Sequence, residues 1–163
     1  MSVTWTVIIV AVVIFVLVAF FYRKATLDQL ESLPGERVLF EEDNIKVTQD
    51  GAPRSAIFFW CKVRVTNRRI IVAQKVWLRK NKYQLRHVIW YDQPNGEGVD
   101  LTETLRSGYV EAKMPWTRIE VDADGEDPVV KIPLAGSALT DRQTATIHTK
   151  RPEEYQKIFK GGA

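Results

Sequence analysis

The residues best suited to bind a partner are lysines and arginines concentrated in the middle of the chain. Residues 51–91 contain ten of these bases and no aspartate or glutamate, whereas residues 92–128 contain ten acids and three bases. This segregation predicts a charged face that meets a partner. The alternative is that basic and acidic strands lie side by side, because opposite charges are common across neighbouring strands.

Aromatic and basic side chains alternate with apolar ones in residues 57–66, which predicts a strand with two different faces. The predicted core face carries Ile57, Phe59, Cys61, Val63 and Val65. The opposite face carries Phe58, Trp60, Lys62, Arg64 and Thr66, and this mixture is typical of protein interfaces. The residues predicted to bind a partner protein or an anionic lipid are Phe58, Trp60, Lys62, Arg64, Arg68, Arg69, Lys75, Arg79, Lys80 and Lys82.

The sequence does not supply a set of residues typical of a catalytic or metal site. The two histidines, His87 and His148, lie in predicted strands, where a single histidine is more often structural than catalytic. Cys61 has no second cysteine for a zinc site and is predicted to be a small buried hydrophobic residue. We therefore expect a binding protein that is not an enzyme and that holds no metal or cofactor.

The first 24 residues predict a retained transmembrane helix with a basic flank. Residues 3–22 carry no charged side chain, and twenty residues rise ~30 Å, the thickness of a bilayer core. A cleaved signal peptide is the alternative, but the segment lacks a basic start and a small-residue cleavage site. The predicted membrane anchors are Trp5, Phe20, Phe21, Tyr22, Arg23 and Lys24. The two bases after the helix predict a cell-membrane protein with its N-terminus outside and its C-terminal domain in the cytoplasm.

The remaining chain is predicted to be mainly β. Residues 25–33 form a short helical linker, residues 34–160 form the β domain, and residues 161–163 form a tail. Six or seven antiparallel strands are expected, with separate short strands at residues 37–42 and 45–49. A C-terminal helix is expected because Pro152 suits a first helical position, and an apolar stripe ends before Gly161. Such a helix can close the end of a small bent sheet.

Three motifs resemble the GRAM and bacterial pleckstrin-homology-like families. They are Leu33-Pro-Gly-Glu-Arg-Val-Leu-Phe-Glu-Glu, Val65-Thr-Asn-Arg-Arg-Ile-Ile-Val-Ala and the closing Pro-Glu-Glu-Tyr-Gln-Lys-Ile-Phe. The resemblance covers residues 34–160, apart from a departure at residues 94–115. It implies a seven-stranded, two-sheet barrel closed by the C-terminal helix. It also implies binding of acidic headgroups or of proteins, with Lys62, Arg64, Arg68 and Arg69 as the best match to the basic residues of lipid-binding members.

Two functions are expected from these features. In the first, the domain docks onto other membrane protein subunits as an accessory or stabilising subunit of a larger integral-membrane complex. In the second, its basic strands bind anionic lipid headgroups, at up to ~1 kcal/mol for each charge near the surface. Nucleic acid is not an expected partner, because a helix held in the lipid bilayer argues against it.

Overall fold

The computed structural model describes residues 3–21, 25–51, 55–77, 81–91, 109–114, 118–134 and 143–160. These residues form helix α1 (Val3–Phe21), a short 3-10 helix (Leu27–Gln29), eight strands and helix α2 (Pro152–Lys160). The strands are β1 (Val38–Asp50), β2 (Ala56–Thr66), β3 (Arg69–Lys75), β4 (Tyr83–Tyr91), β5 (Val110–Met114), β6 (Glu120–Asp122), β7 (Val129–Leu134) and β8 (Gln143–His148).

Within these described residues, the strands form one open sheet in the order β5-β4-β3-β2-β1-β8-β7-β6. Neighbouring strands are antiparallel except β4 and β5, which are parallel. The sheet therefore consists of two meanders. The first is β1–β4 with the parallel strand β5 added at its edge, and the second is β6–β8. They join where residues 46–50 of β1 pair with residues 144–148 of β8.

One face of the sheet, called here the inner face, carries the main hydrophobic core. Val47, Val63 and Ile147 lie on this face and are fully buried. Strand β5 approaches β7, so the sheet curls around the core. Helix α2 covers one end, where the Tyr155 ring meets the edge of Phe40 at a centroid distance of 5.1 Å. Burying aromatic side chains in this way is a large part of what stabilises such a small sheet.

A buried carboxylate connects α2 to the sheet. Glu42 accepts hydrogen bonds from the Thr149 hydroxyl at 2.7 Å, the Lys150 backbone N–H at 2.8 Å and the Tyr155 hydroxyl at 3.3 Å. Burial of a charged group is unfavourable unless its oxygens are bonded in this way. The three bonds fix the turn between β8 and α2, and so fix where the helix lies.

The outer face of β3 and β4 is covered by the segment before β1. Leu27 is buried there against Ile71, Ala73 and Leu85. The Leu85 backbone N–H donates to the carbonyl of Ala25 at 3.0 Å, which holds the segment along the sheet. The corresponding outer face of β1 and β2 leaves several apolar side chains exposed.

The prediction that the N-terminal helix crosses a membrane is wrong. Helix α1 lies where a helix was expected, but among the residues that the structure describes no helix is both long and apolar enough to span a membrane. Of the predicted anchors, Trp5 is exposed, whereas the side chains of Phe20 and Phe21, and all of Tyr22, Arg23 and Lys24, lie outside the described residues.

The predicted two-sheet barrel is also wrong, because the described strands form a single open sheet. Two features account for the difference. The short strands expected at residues 37–42 and 45–49 are one continuous strand, β1. In addition, β5 lies in the stretch that departed from the expected pattern, and it adds an unpredicted parallel strand beside β4.

Two bulges in neighbouring strands reverse which residues face inward. In β1, Asp43 and Asn44 together lie opposite Lys62; in β2, Phe59 and Trp60 together lie opposite Lys46. Asn44 and Trp60 have positive φ angles of 58° and 53°. Each bulge adds one residue, so residues that would have faced inward beyond the bulge face outward instead, and the reverse. Because the bulges are in adjacent strands, the pairing register is restored beyond them.

Candidate functional site

Three of the basic residues predicted to bind a partner form ion pairs within the domain. Lys62 Nζ lies 3.4 Å from Asp43 Oδ1, and Arg64 Nε donates to Glu41 in the neighbouring strand. The Arg69 guanidinium binds the carboxylate of Glu36. Such pairs agree with the alternative interpretation of the charge pattern, in which basic and acidic residues lie side by side within the domain. The positive charge of these three side chains is therefore largely compensated inside the fold.

The Arg69 pair is buried and densely bonded. Arg69 donates to both Glu36 carboxylate oxygens at 2.8 Å and to the Glu31 carbonyl at 2.7 Å, and it lies 4.7 Å above the ring of Trp90. Burial alone would raise the pKa of Glu36. Hydrogen bonds from Arg69, the Leu33 backbone N–H and the Thr66 hydroxyl outweigh it, so this pKa lies below its ordinary value. Arg69 is thus a structural residue that fixes the segment before β1.

Two of the remaining predicted bases, Lys75 and Lys82, flank the hairpin between β3 and β4. Lys75 and Lys82 are exposed, and neither has a carboxylate partner in the part of the chain that the structure describes. Trp77, in the same hairpin, is the most exposed of the large apolar side chains described, at 84%. Arg68 is half-buried beside Asn67 at the preceding turn, and Arg79 and Lys80 lie outside the described residues.

The bulge in β2 creates an exposed apolar surface. The aromatic surface consists of Ile57, Phe59 and Trp60, which are 57%, 50% and 51% exposed. The expected core face is correct for Cys61, Val63 and Val65, but it is wrong for Ile57 and Phe59. Phe58, which was expected to face outward, packs against the core instead. Regular alternation carries no signal for a bulge, so the sequence could not reveal this exchange.

Phe58 contacts a second group of residues, at the end of the inner face opposite α2. The polar cluster consists of Gln49, Gln74, Gln84, Arg86, His87 and Gln143. The Phe58 ring meets the His87 ring at 5.6 Å, and Arg86 Cζ lies 5.1 Å from the Phe58 ring centre. A register shift in β4 between Leu85 and His87 turns both Arg86 and His87 toward this interior.

The His87 ring is buried and uncharged. Burial, and then the positive charge of Arg86, lower the pKa of His87 to about 4. His87 Nε2 lies 3.0 Å from Gln49 Oε1, while the amide nitrogen of Gln49 donates to Gln143 Oε1 at 2.5 Å. Gln49 therefore presents its oxygen to His87, and the ring proton lies on Nε2. The other ring nitrogen, Nδ1, is left as a hydrogen-bond acceptor.

Arg86 is half-buried, and no described residue is its negatively charged partner. Its Nε and Nη2 atoms donate to the neutral oxygen of Gln74 at 3.0 and 2.7 Å. Burial lowers the pKa of Arg86, and none of the described residues places a carboxylate in contact with it. Burial also raises the pKa of the nearby Cys61 thiol to about 12, although Arg86 opposes this shift, so the thiol stays protonated.

Comparisons with protein-family models, curated proteins and solved structures found no match to this chain. The resemblance to GRAM domains therefore stays a prediction. Within the described ranges, no three His, Cys, Asp or Glu side chains lie together in an arrangement that could hold a metal ion. The aromatic surface and the polar cluster are therefore the features of the described residues that bear on function.

Proposed function

We propose that this protein is a non-catalytic docking domain that binds a partner protein through the aromatic surface of β2, as an accessory or stabilising subunit. The observation that supports the proposal is the pair Phe59 and Trp60, both half-exposed on the outer side of one bulge. Aromatic side chains, and tryptophan above all, provide the largest energies in protein interfaces. The proposal concerns the outer face only.

The backbone at this site is held in an unfavourable conformation. Trp60 has a φ of 53°, in the left-handed region that side chains with a Cβ atom rarely adopt. A residue in this region is destabilised by roughly 1–2 kcal/mol, and such strain is concentrated at functional sites. The bulge forms in spite of this cost. It presents the adjacent rings of Phe59 and Trp60 outward, with their centroids 6.2 Å apart.

The charges around the aromatic surface favour an acidic partner. Lys46 lies opposite the bulge. Lys75 directly follows Gln74, which pairs with Cys61 next to the bulge. Neither has an ion pair with any residue that the structure describes, whereas Lys62 and Arg64 nearby are already paired. The occupant we propose is therefore a protein surface with an apolar pocket for Trp60 and carboxylates at its rim.

The test begins with native purification of the full-length protein from its source cells in mild detergent, followed by identification of stoichiometric partners. Binding of the reconstituted partner is then measured by calorimetry for wild type and Trp60→Ala. We expect Trp60→Ala to weaken binding at least ~30-fold, because a central aromatic contact contributes ~2 kcal/mol or more.

Trp77→Ala is the matched control, since it removes an exposed tryptophan outside the aromatic surface. Circular dichroism verifies that both variants fold. A chain that purifies alone, or a complex equally tight with Trp60→Ala, would contradict the proposal. Anionic lipid is the competing occupant. In a chain without a protein partner, binding to phosphatidylserine vesicles that is lost with Trp60→Ala and kept with Trp77→Ala would assign the aromatic surface to lipid instead.

A further inference from the structure

Two buried polar atoms of β4 lack a hydrogen-bond partner among the residues that the structure describes. They are Nε2 of Gln84, a donor, and Nδ1 of His87, an acceptor in the neutral ring. They lie on either side of Arg86 in the sequence. Leaving a buried polar atom unbonded is unfavourable, so native proteins rarely contain one without a ligand or water that completes it.

The same cluster contains a positive charge for which the described part of the chain supplies no counter-ion. Two of the five N–H donors of Arg86 bind Gln74, which leaves three for another group. Gln74, Gln84, Arg86 and Phe58 are only partly buried, so parts of these side chains reach the solvent at this end of the inner face. It differs from the opposite end, which α2 covers with Tyr155 and Phe159.

These three features specify the chemistry of a ligand. Negatively charged oxygens would accept hydrogen bonds from Arg86 and from the amide of Gln84. A hydroxyl on the same ligand would donate to Nδ1 of His87. We propose that the polar cluster binds inorganic phosphate, an oxyanion that retains at least one hydroxyl at neutral pH. This site is on the inner face and is independent of the docking proposed for the outer face.

Sulfate and methyl phosphate are close comparisons for this proposal. Sulfate has the same tetrahedral shape but no hydroxyl at neutral pH, so it can bind Arg86 and Gln84 but cannot donate to His87. Methyl phosphate represents the phosphate monoesters of lipid headgroups and nucleotides. At pH 8 it has also lost its hydroxyl proton, since the second pKa of a monoester is ~6. The comparison therefore separates free phosphate from both alternatives.

The experiment is calorimetric titration of the full-length protein at pH 8 with each of the three anions. We expect phosphate to bind at least ~5-fold more tightly than sulfate or methyl phosphate. The reason is that Nδ1 of His87, a buried acceptor, stays unbonded in the complexes with the other two anions. His87→Gln should remove this preference. Its amide nitrogen can replace Nε2 as the donor to Gln49, but it offers no acceptor at the position of Nδ1.

Arg86→Gln should weaken binding of all three anions, because it removes the positive charge. His87 is unchanged in this variant, so Nδ1 can still accept a hydrogen bond from the phosphate hydroxyl. Lys150→Gln, an exposed lysine beside α2, is the charge-matched control and should bind like wild type. Chemical unfolding establishes that each variant folds. Absence of phosphate binding in wild type overturns the proposal. Equal binding of phosphate and sulfate, or a preference that survives in folded His87→Gln, also overturns it.

Discussion

At the scale of single residues, Arg69 and Glu36 form the most buried ion pair among the residues that the structure describes. Their side chains are 4% and 5% exposed, unlike the partly exposed pair of Arg64 and Glu41. An exposed ion pair stabilises a protein by at most ~1 kcal/mol, whereas breaking a buried one leaves an uncompensated charge. The two kinds of pair look alike in the sequence, because charge alternation does not reveal depth of burial.

Replacing Glu36 with glutamine should destabilise the protein by about 3 kcal/mol at pH 7, since buried Arg69 loses its counter-charge. The difference from wild type should shrink as the pH falls. Above 4.5, the ordinary pKa of this carboxyl group, the stabilisation is complete. Below 4.5 the unfolded chain binds a proton first, so the stabilisation is lost as the pH falls toward the lowered pKa of the folded state.

Urea unfolding of wild type and Glu36→Gln at several pH values between 7 and 3 measures this difference. Glu126→Gln is the control, because Glu126 is exposed in the hairpin between β6 and β7. It should change the free energy of unfolding by less than ~0.5 kcal/mol. A difference for Glu36→Gln that stays constant down to pH 3 would show that the stabilisation does not depend on the ionised carboxylate.

At the scale of elements, the paired bulges of β1 and β2 decide which residues form the aromatic surface. Local signals were sufficient for the extent of β2 and for α2, because alternation and helix caps act over a few positions. The bulges need both strands at once, because Phe59 and Trp60 of β2 lie together opposite Lys46 of β1. The pairing of β5 with β4 is equally non-local, because a long connection separates the two strands in the sequence.

The left-handed conformation of Trp60 predicts different effects for glycine and alanine at this position. Glycine adopts a positive φ without steric cost, whereas alanine retains its Cβ atom. Trp60→Gly should therefore be more stable than Trp60→Ala by ~1 kcal/mol, the reverse of the usual order within a strand. Urea unfolding of the two variants measures the difference, and greater stability of the alanine variant would show that the bulge relaxes when the indole is removed.

At the scale of the whole molecule, two meanders share one core. Their backbones meet along the pairing of β1 with β8, where Val47 lies directly opposite Ile147 and both are fully buried. The first meander contributes β1–β5, and the second contributes β6–β8. Because the core residues of the two meanders are in contact, we expect the sheet to unfold as a single cooperative unit.

Shortening Ile147 to alanine should lower the free energy of unfolding by ~2–5 kcal/mol, the usual effect of removing a large buried aliphatic group. The loss should appear equally in both meanders. Hydrogen exchange followed by mass spectrometry measures protection separately in β3 and in β7. Thr146→Ala, on the outer face of the same strand, is the control and should cost less than ~1 kcal/mol. Loss of protection confined to β7 would show that the meanders unfold independently.

The contact between Ala25 and Leu85 also limits how far α1 can be from the sheet. Only four peptide units separate Phe21, the last residue of α1, from Ala25, whose carbonyl is hydrogen-bonded to β4. Four units extend at most ~14 Å, so the chain acts as a short tether. Any molecule that holds α1 keeps the sheet within this reach. A partner that binds α1 would therefore encounter Trp60 at a high effective concentration, and even a weak contact on the outer face would remain occupied.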